Sequence, residues 1–455
     1  MSIRVTLAIL AGRCVKLAAK ILRRGGTAKP GEIALKLCPD LPARLAKDMR
    51  IIVVTGTNGK TTTCRIVEQA LQDGGIDCTA NRSGANLMSG LTTMLMENAS
   101  LGGKPRKTVA VFECDEAAFR RVVPMIQPEV ALVTNLFHDQ LDRYGSMENV
   151  RALILEGIQG SPNTKVVLNA DCSLTASMAG DVTNPCTFYG FGEALGGGEA
   201  PAVSAAPNCI RCGEPYEYDY RIYGHLGACK CPKCGYHKPD MDVTVVDIPQ
   251  RGADSSVAKV KTAKGEHTVN INLPADYNVY NAVGAATAAM VFGIDETIAL
   301  GACEHFACSF GRMEKMTYGD MTFRMILIKN AVGCDQVIDY LSGVKEDFLP
   351  VFLLNNKPAD GTDFGWIYDA NFEKLAAVHG SKALVAGMCA EPLAKRLADA
   401  GFAADGIVVE TDLDKLVERM KEHGGNVFVI PNYTSMLDIH GKLAALCGSN
   451  QFWEN

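Results

Sequence analysis

The stretch "RIIVVTGTNGKTTT", residues 50–63, constrains the fold of this chain more than any other. An apolar run feeds a glycine-rich turn, a lysine and three threonines. Then comes "CRIVEQALQDGG", whose apolar spacing is helical and whose final glycines stop the helix. A strand, a glycine turn and a helix N-terminus in that order bring several backbone N–H groups to one point, where anionic phosphate is stabilised. Lys60 adds a positive charge for the outer phosphates of a nucleotide, and Thr61 or Thr62 a hydroxyl for magnesium. The loop is shorter than the common G-x-x-x-x-G-K-[ST] pattern: Val54 stands where that pattern has its first glycine, and Gly56 lies only three positions before Gly59. Gly56, Thr57, Asn58, Gly59, Lys60, Thr61 and Thr62 are therefore the candidate nucleotide-binding residues of the loop.

The same alternation of short apolar runs and helical stretches continues downstream. "RIIVVTG", "TVAVFE", "EVALVTNL" and "TKVVLNAD" read as strands of a parallel α/β sheet. The pattern breaks near residue 192 at "GEALGGGEAPAVSAAPN", and a segment rich in cysteine and tyrosine runs to about 240. "MDVTVVDIP" and "GEHTVNINLP" follow as antiparallel strands, then the Ala-rich helix "NVYNAVGAATAAMVFG". After "GRMEK" a second series, "FRMILIKN", "FLPVFLLNN", "KALVAG" and "NVFVIPNY", predicts a second, Rossmann-like α/β domain. The division is a helical segment at 1–50, an ATP-binding domain at 51–314 interrupted by an insertion at about 205–240, and a C-terminal domain at 315–455.

Charge and cysteine usage narrow the partners. A net charge of −6 provides no basic field for nucleic acid. Seventeen cysteines, odd in number and set mostly in apolar surroundings, suit reduced thiols in the cytoplasm better than a disulfide framework. The N-terminal "MSIRVTLAILAGRCVKLAAKILRRGG" predicts an amphipathic helix with Arg13, Lys16, Lys20, Arg23 and Arg24 at helical intervals. It lacks the ~20 apolar residues of a membrane span. A basic face of this kind would rest against the inner, anionic surface of a membrane.

Cys209-x2-Cys212 and Cys231-x2-Cys234 have the spacing of a zinc ribbon, with the Tyr-rich "GEPYEYDYRIYGHLGACK" between them as a hairpin. Four thiolates leave no open coordination position, so the expected zinc is structural. Cys229 and His225 lie nearby but outside the paired geometry.

"TGTNGKTTT" resembles the phosphate loop of the Mur ligases and folylpolyglutamate synthases, in which ATP phosphorylates a carboxylate and an amine attacks the acyl phosphate. Further stretches carry the resemblance along the chain. "FECDE" ends a strand in acids where the family holds magnesium, which implies that role for Glu113. "TNLFHDQLDRYGS" is similar to the family's D-H-x-D segment, with Gln140 where many members have a metal-binding histidine and His138 two positions away. "DYNVYNAVGAATAA" resembles the H-N-x-x-N segment, placing Asn278 and Asn281 toward adenine, and "GRMEK" puts Arg312 where the family has an ATP-contacting arginine.

The cysteine insertion, "LIKNAVGCDQV" and "NNKPADGTDFGWIYDANFE" are similar to one branch of that family, the synthetase subunits of lipid II isoglutaminyl synthases. This resemblance implies a carbon–nitrogen ligase of peptidoglycan synthesis. ATP would activate the α-carboxylate of D-glutamate in the lipid II stem peptide, and ammonia from a GatD-type glutaminase partner would convert it to D-isoglutamine. It also implies that an aspartate of the C-terminal domain serves the glutaminase histidine. Asp360 reads as a turn former and Asp369 as a helix cap, which leaves Asp363 as the choice. Two other readings are a ligase that adds an amino acid without a glutaminase, and a zinc-ribbon ATPase that acts as a binding module. The ribbon mixes Glu, Asp, Lys and Arg and has no basic face suited to the latter.

Overall fold

A computed structural model describes residues 3–21, 28–81, 85–139, 145–198, 204–306 and 312–448. The run "RIIVVT" forms β1 (Arg50–Thr55), buried on both faces from Ile51 onward, as an uninterrupted β-branched run requires. It lies between β3 (Val109–Glu113) and β4 (Val130–Val133), parallel to both. β2 (Cys78–Ala80) adds beyond β3, while β5 (Lys165–Asn169) and β6 (Cys186–Phe191) extend the sheet beyond β4. The chain thus fills one side of β1 and then the other, so the crevice at the carboxyl ends of β1, β3 and β4 is a topological switch point, where α/β sheets bind ligands.

The insertion forms its own two-stranded antiparallel hairpin, β7 (Glu217–Tyr223) and β8 (Leu226–Lys230). β9 (Val243–Arg251), β10 (Ser256–Thr262) and β11 (Gly265–Ile271) complete the nine-stranded sheet in the order β11-β10-β9-β6-β5-β4-β1-β3-β2. The two strands read here as antiparallel are not neighbours: β10, from "SVAKVKT", lies between them and is antiparallel to both. Its alternating apolar residues make it half-buried, and the lysines between them hid it in the sequence.

The second sheet has six strands, β12 (Arg312–Tyr318), β13 (Met321–Ile326), β14 (Phe348–Leu353), β15 (Ala383–Ala386), β16 (Ile407–Val409) and β17 (Asn426–Pro431). Their order is β12-β13-β17-β14-β15-β16, all parallel except the β12–β13 pair. The sequence reading started this unit at 315, whereas its first strand begins at Arg312.

The N-terminal helix forms over Ile3–Ile21, and two of its charges are held by a neighbouring helix. Arg13 donates to the carbonyls of Met96 and Ala99 at the end of the helix Met88–Asn98, and Lys16 pairs with Glu97. Cations there complement the helix dipole. The exposed side carries Ile3, Leu7, Leu10 and Leu17. Those two charges are therefore structural, contrary to a purely basic outer face; Arg23 and Arg24 lie outside the described residues. No described helix is long and apolar enough to cross a membrane.

Candidate active site

The loop after β1 needs its glycines. Gly56 has φ 123° and Gly59 φ 85°, the left-handed region, and a Cβ on Gly59 would fall 1.9 Å from Asn281 Oδ1. The turn is fastened to the end of β4: Thr57 N–H donates to the Asn135 carbonyl (2.8 Å), Asn58 N–H to Asn135 Oδ1 (3.0 Å), and the Thr134 hydroxyl to the Asn58 carbonyl (2.8 Å). The helix Lys60–Asp73 starts at once, so its N-terminus and the loop amides share one cavity.

That cavity, about 420 Å³, lies between the two sheets' units. Thr57, Asn58, Gly59, Lys60, Thr61, Thr62 and Glu113 line it from the first, with Asn278 and Asn281 from the helix Asp276–Phe292. Arg312, Lys329 and Tyr433 line it from the second. Of the sequence-nominated residues the structure thus brings together Thr57 to Thr62, Glu113, Asn278, Asn281 and Arg312, while Gly56, the cysteine quartet and Asp363 do not line the cavity.

The acid nominated for magnesium meets the hydroxyl nominated with it. Thr61 Oγ1 donates to Glu113 Oε2 at 2.7 Å, and Asn86 Nδ2 reaches Glu113 Oε1 at 3.3 Å. Asn81 grips the Glu113 backbone from both sides, through N–H (2.9 Å) and carbonyl (2.8 Å). A hard divalent cation takes such oxygens, so Thr61 and Glu113 fit magnesium. Gln140, where many members have their metal-binding histidine, lies outside the described residues. His138 is half-buried, and burial holds it below the usual histidine range despite Glu148 and Asp369 nearby.

Lys60 is buried and folded back, donating to the carbonyls of Gly56 and Thr57 and lying 3.5 Å from Glu116. Burial opposes its charge, but Glu116, Glu113, Asp139 and Asp115 outweigh that and hold its pKa above the ordinary lysine value. Asn278 donates to the Pro274 carbonyl (2.8 Å), and Asn281 donates to Asn278 Oδ1 (3.2 Å). Sequence reasoning missed Lys329, which pairs with Asp139 across the cleft. Its signal was available: a lysine just past an apolar strand in "RMILIKN", where α/β sheets present ligand-binding groups.

The four cysteines of the ribbon converge, with all their sulfurs within 4.8 Å of one another. Cys209 and Cys234 are 3.5 Å apart, and Cys212 and Cys231 3.4 Å. Tetrahedral zinc with bonds of about 2.3 Å separates sulfurs by roughly 3.8 Å, so the quartet fits that ion with little movement. Burial opposes ionisation of Cys231, but the N–H groups of Cys234 and Lys233 bring it down to about 6. Cys229 stays outside the quartet, and His225 instead meets Cys172 at 3.3 Å.

In the C-terminal unit, Asp360 is buried and accepts from both N–H and hydroxyl of Thr434, at the start of the helix Tyr433–Cys447. Asp369 does not cap the helix Phe372–His379; Asn371 stands there, and Asp335 accepts its N–H (2.7 Å). Asp363 is exposed and does have a local bond, from Gly365 N–H to its Oδ1 at 2.7 Å.

Residues 54–201 match the Mur ligase middle domain, and residues 327–436 match the MurT ligase C-terminal region. The chain is 32% identical over 451 residues, 98% of both chains, to the lipid II isoglutaminyl synthase (glutamine-hydrolyzing) subunit MurT of Streptococcus pneumoniae. It is 29% identical to the subunit of the same name from Staphylococcus aureus, over 94% of this chain and 95% of that one. MurF of Acinetobacter baumannii is similar in structure, with a TM-score of 0.68 at 16% identity, covering 92% of this chain and 80% of that one. At that identity the likeness concerns the fold alone.

Proposed function

The chain belongs to the MurT family of Mur-type ligases, and from that premise we propose that it uses ATP to activate the α-carboxylate of D-glutamate in the lipid II stem peptide and amidates it with ammonia to D-isoglutamine. It is an ATP-dependent ligase of peptidoglycan synthesis. The observation that carries the chemistry is the 2.7 Å Thr61–Glu113 contact beneath the phosphate loop, in a cleft whose far wall is the second unit.

The loop amides and the helix N-terminus bind the ATP phosphates, and Lys60 turns from the Gly56 and Thr57 carbonyls toward them. Asn278, Asn281 and Arg312 hold the nucleotide. Thr61 and Glu113 would hold magnesium, which would supply neutralisation of charge on the transferred phosphoryl. Lys329 and Arg312 face that point from the second unit, and closure of the cleft shields the acyl phosphate from water. Zinc on Cys209, Cys212, Cys231 and Cys234 is structural.

Ammonia comes from a separate GatD-type glutaminase. The Cys172–His225 pair is no substitute: both residues are buried, burial raises the thiol, and burial lowers His225 to about 3. Asp363 serves the partner's histidine, fixing its tautomer and stabilising its charged form. The protein works in the cytoplasm, at the membrane face that presents lipid II, where the apolar side of the N-terminal helix supplies peripheral contact. We take the unit of the nine-stranded sheet and the unit that begins at Arg312 as its two catalytic domains, in place of a division at 314/315.

The test is reconstitution of the chain with a GatD-type glutaminase, ATP, glutamine and lipid II. Amidated lipid II, ADP and phosphate are expected, with ammonium able to replace glutamine. Turnover with an amino acid, and none with ammonium, would replace this reading by the amino-acid-adding one.

A further inference from the structure

The tip of the ribbon hairpin ends in the ATP cleft. Tyr223, the last residue of β7, lines the same cavity as Asn278 and Asn281. Tyr277, Val332 and Gln336 line the same cavity. Its ring is fixed: it stacks on Phe137 (centroids 6.1 Å apart, 21° between planes) and meets Tyr280 edge-on at 5.8 Å. Gly224 makes the turn at φ 56°, and a Cβ there would lie 3.1 Å from Phe137 and 3.6 Å from Val332 of the second unit, so the tip is wedged between the two.

Buried polar bonds hold the hairpin in that position. Asp171, fully buried, accepts from Lys238 Nζ (2.5 Å), Tyr280 OH (2.8 Å) and Phe191 N–H (2.7 Å), and its own carbonyl accepts from Gly227 N–H (3.0 Å). Lys238 also donates to Tyr220 OH (2.8 Å), and Tyr220 OH to the Phe191 carbonyl (3.0 Å). A charge pair sealed this way fixes geometry, since losing either partner strands the other in the interior. Lys238 lies four residues after Cys234, the last ribbon cysteine, so the cysteine end and the tyrosine tip are fastened to one body.

We propose that Tyr223 is the aromatic wall of the adenine slot, and that the ribbon is thereby a part of the nucleotide site. The inference rests on the ATP reading above and adds to it a base-recognising residue from the insertion. Phosphates are held by the loop and the base by the hairpin, so the two contributions separate experimentally.

ADP and inorganic pyrophosphate are titrated into the zinc-loaded chain and its variants by calorimetry. Tyr223→Ala weakens ADP by about 10–100-fold, the scale of one aromatic stacked on a base, and leaves pyrophosphate unchanged. Tyr223→Phe, which keeps the ring, brings ADP affinity back to within about threefold of wild type. Unchanged ADP affinity in Tyr223→Ala, or equal loss of ADP and pyrophosphate, overturns the proposal. A wild-type chain that binds neither probe overturns the ATP reading and this proposal together. Should Tyr223→Ala not fold, photolabelling of the wild-type chain with 8-azido-ADP decides: label on the peptide holding Tyr223 supports the slot, and label only elsewhere refutes it.

Discussion

Lys60 illustrates how burial changes the meaning of a single residue. In the sequence it is a phosphate ligand; in the fold it is also the cation facing buried Glu116. Lys60→Ala should therefore abolish ATP-dependent amidation and also lower stability by about 3 kcal/mol or more, because Glu116 is left buried without its partner. The double variant Lys60→Met, Glu116→Gln is expected to regain most of that stability in thermal melts while staying inactive. Recovery of activity in the double variant would remove Lys60 from the mechanism. Asp363 tests the opposite case, an exposed residue with little structural weight. Asparagine keeps the oxygen that accepts from Gly365 N–H, so Asp363→Asn should preserve the turn and cut glutamine hydrolysis by the reconstituted pair by orders of magnitude. Ammonium should then restore part of the amidation; loss with ammonium as well would place Asp363 in the ligase site.

The ribbon hairpin is an element whose stability depends on pH and metal together. His225 sits at its turn, fully buried against Phe137 (centroids 4.7 Å apart), with Nδ1 lacking a hydrogen-bond partner. Burial lowers its pKa from 6.5 to about 3, so the unfolded chain binds the proton more readily than the folded one. Stability from this group is complete above pH 6.5 and is lost as pH falls from there toward 3. Melts at pH 7.5 and 5 should show a drop of about 1–2 kcal/mol in wild type and a shallower one in His225→Leu. Equal slopes would mean that His225 already titrates freely in the fold. At the other end of the hairpin, Cys212→Ser should reduce bound zinc from one per chain and lower the melting temperature, since ribbon folding and metal binding are one equilibrium. Elemental analysis of chelator-free wild-type protein that finds no zinc would end that assignment.

Across the whole molecule, the phosphate loop and the second unit are joined by a reciprocal amide pair. Asn58 Nδ2 faces Asn330 Oδ1 at 3.5 Å, and Asn330 Nδ2 faces Asn58 Oδ1 at 3.1 Å. Asn330 also caps the helix Ala331–Ser342 through Gly333 N–H (2.8 Å). Asn330→Ala should cost about 1 kcal/mol as a lost cap and, separately, raise KM for ATP several-fold because Asn58 loses its anchor. Asn330→Ser keeps a capping oxygen but does not reach Asn58, so it should recover stability without recovering KM. A KM that follows stability in both variants would reduce Asn330 to a cap. What the sequence by itself determined was everything encoded in contiguous residues: the buried strand β1, the glycine turn at Gly56 and Gly59, the helix that follows, and the paired cysteine knuckles. In each, backbone geometry and side-chain period act over a few positions, so composition and spacing suffice. Half-buried β10, the pairing of Arg13 and Lys16 with the helix Met88–Asn98, the absence of Asp369 from the cap, and the placement of Tyr223, Lys329 and Tyr433 in one cavity with the phosphate loop were decided only in the tertiary structure. They depend on which apolar faces pack together and on which carbonyls and carboxylates those faces bring within reach, and neither is written in the local order of the chain.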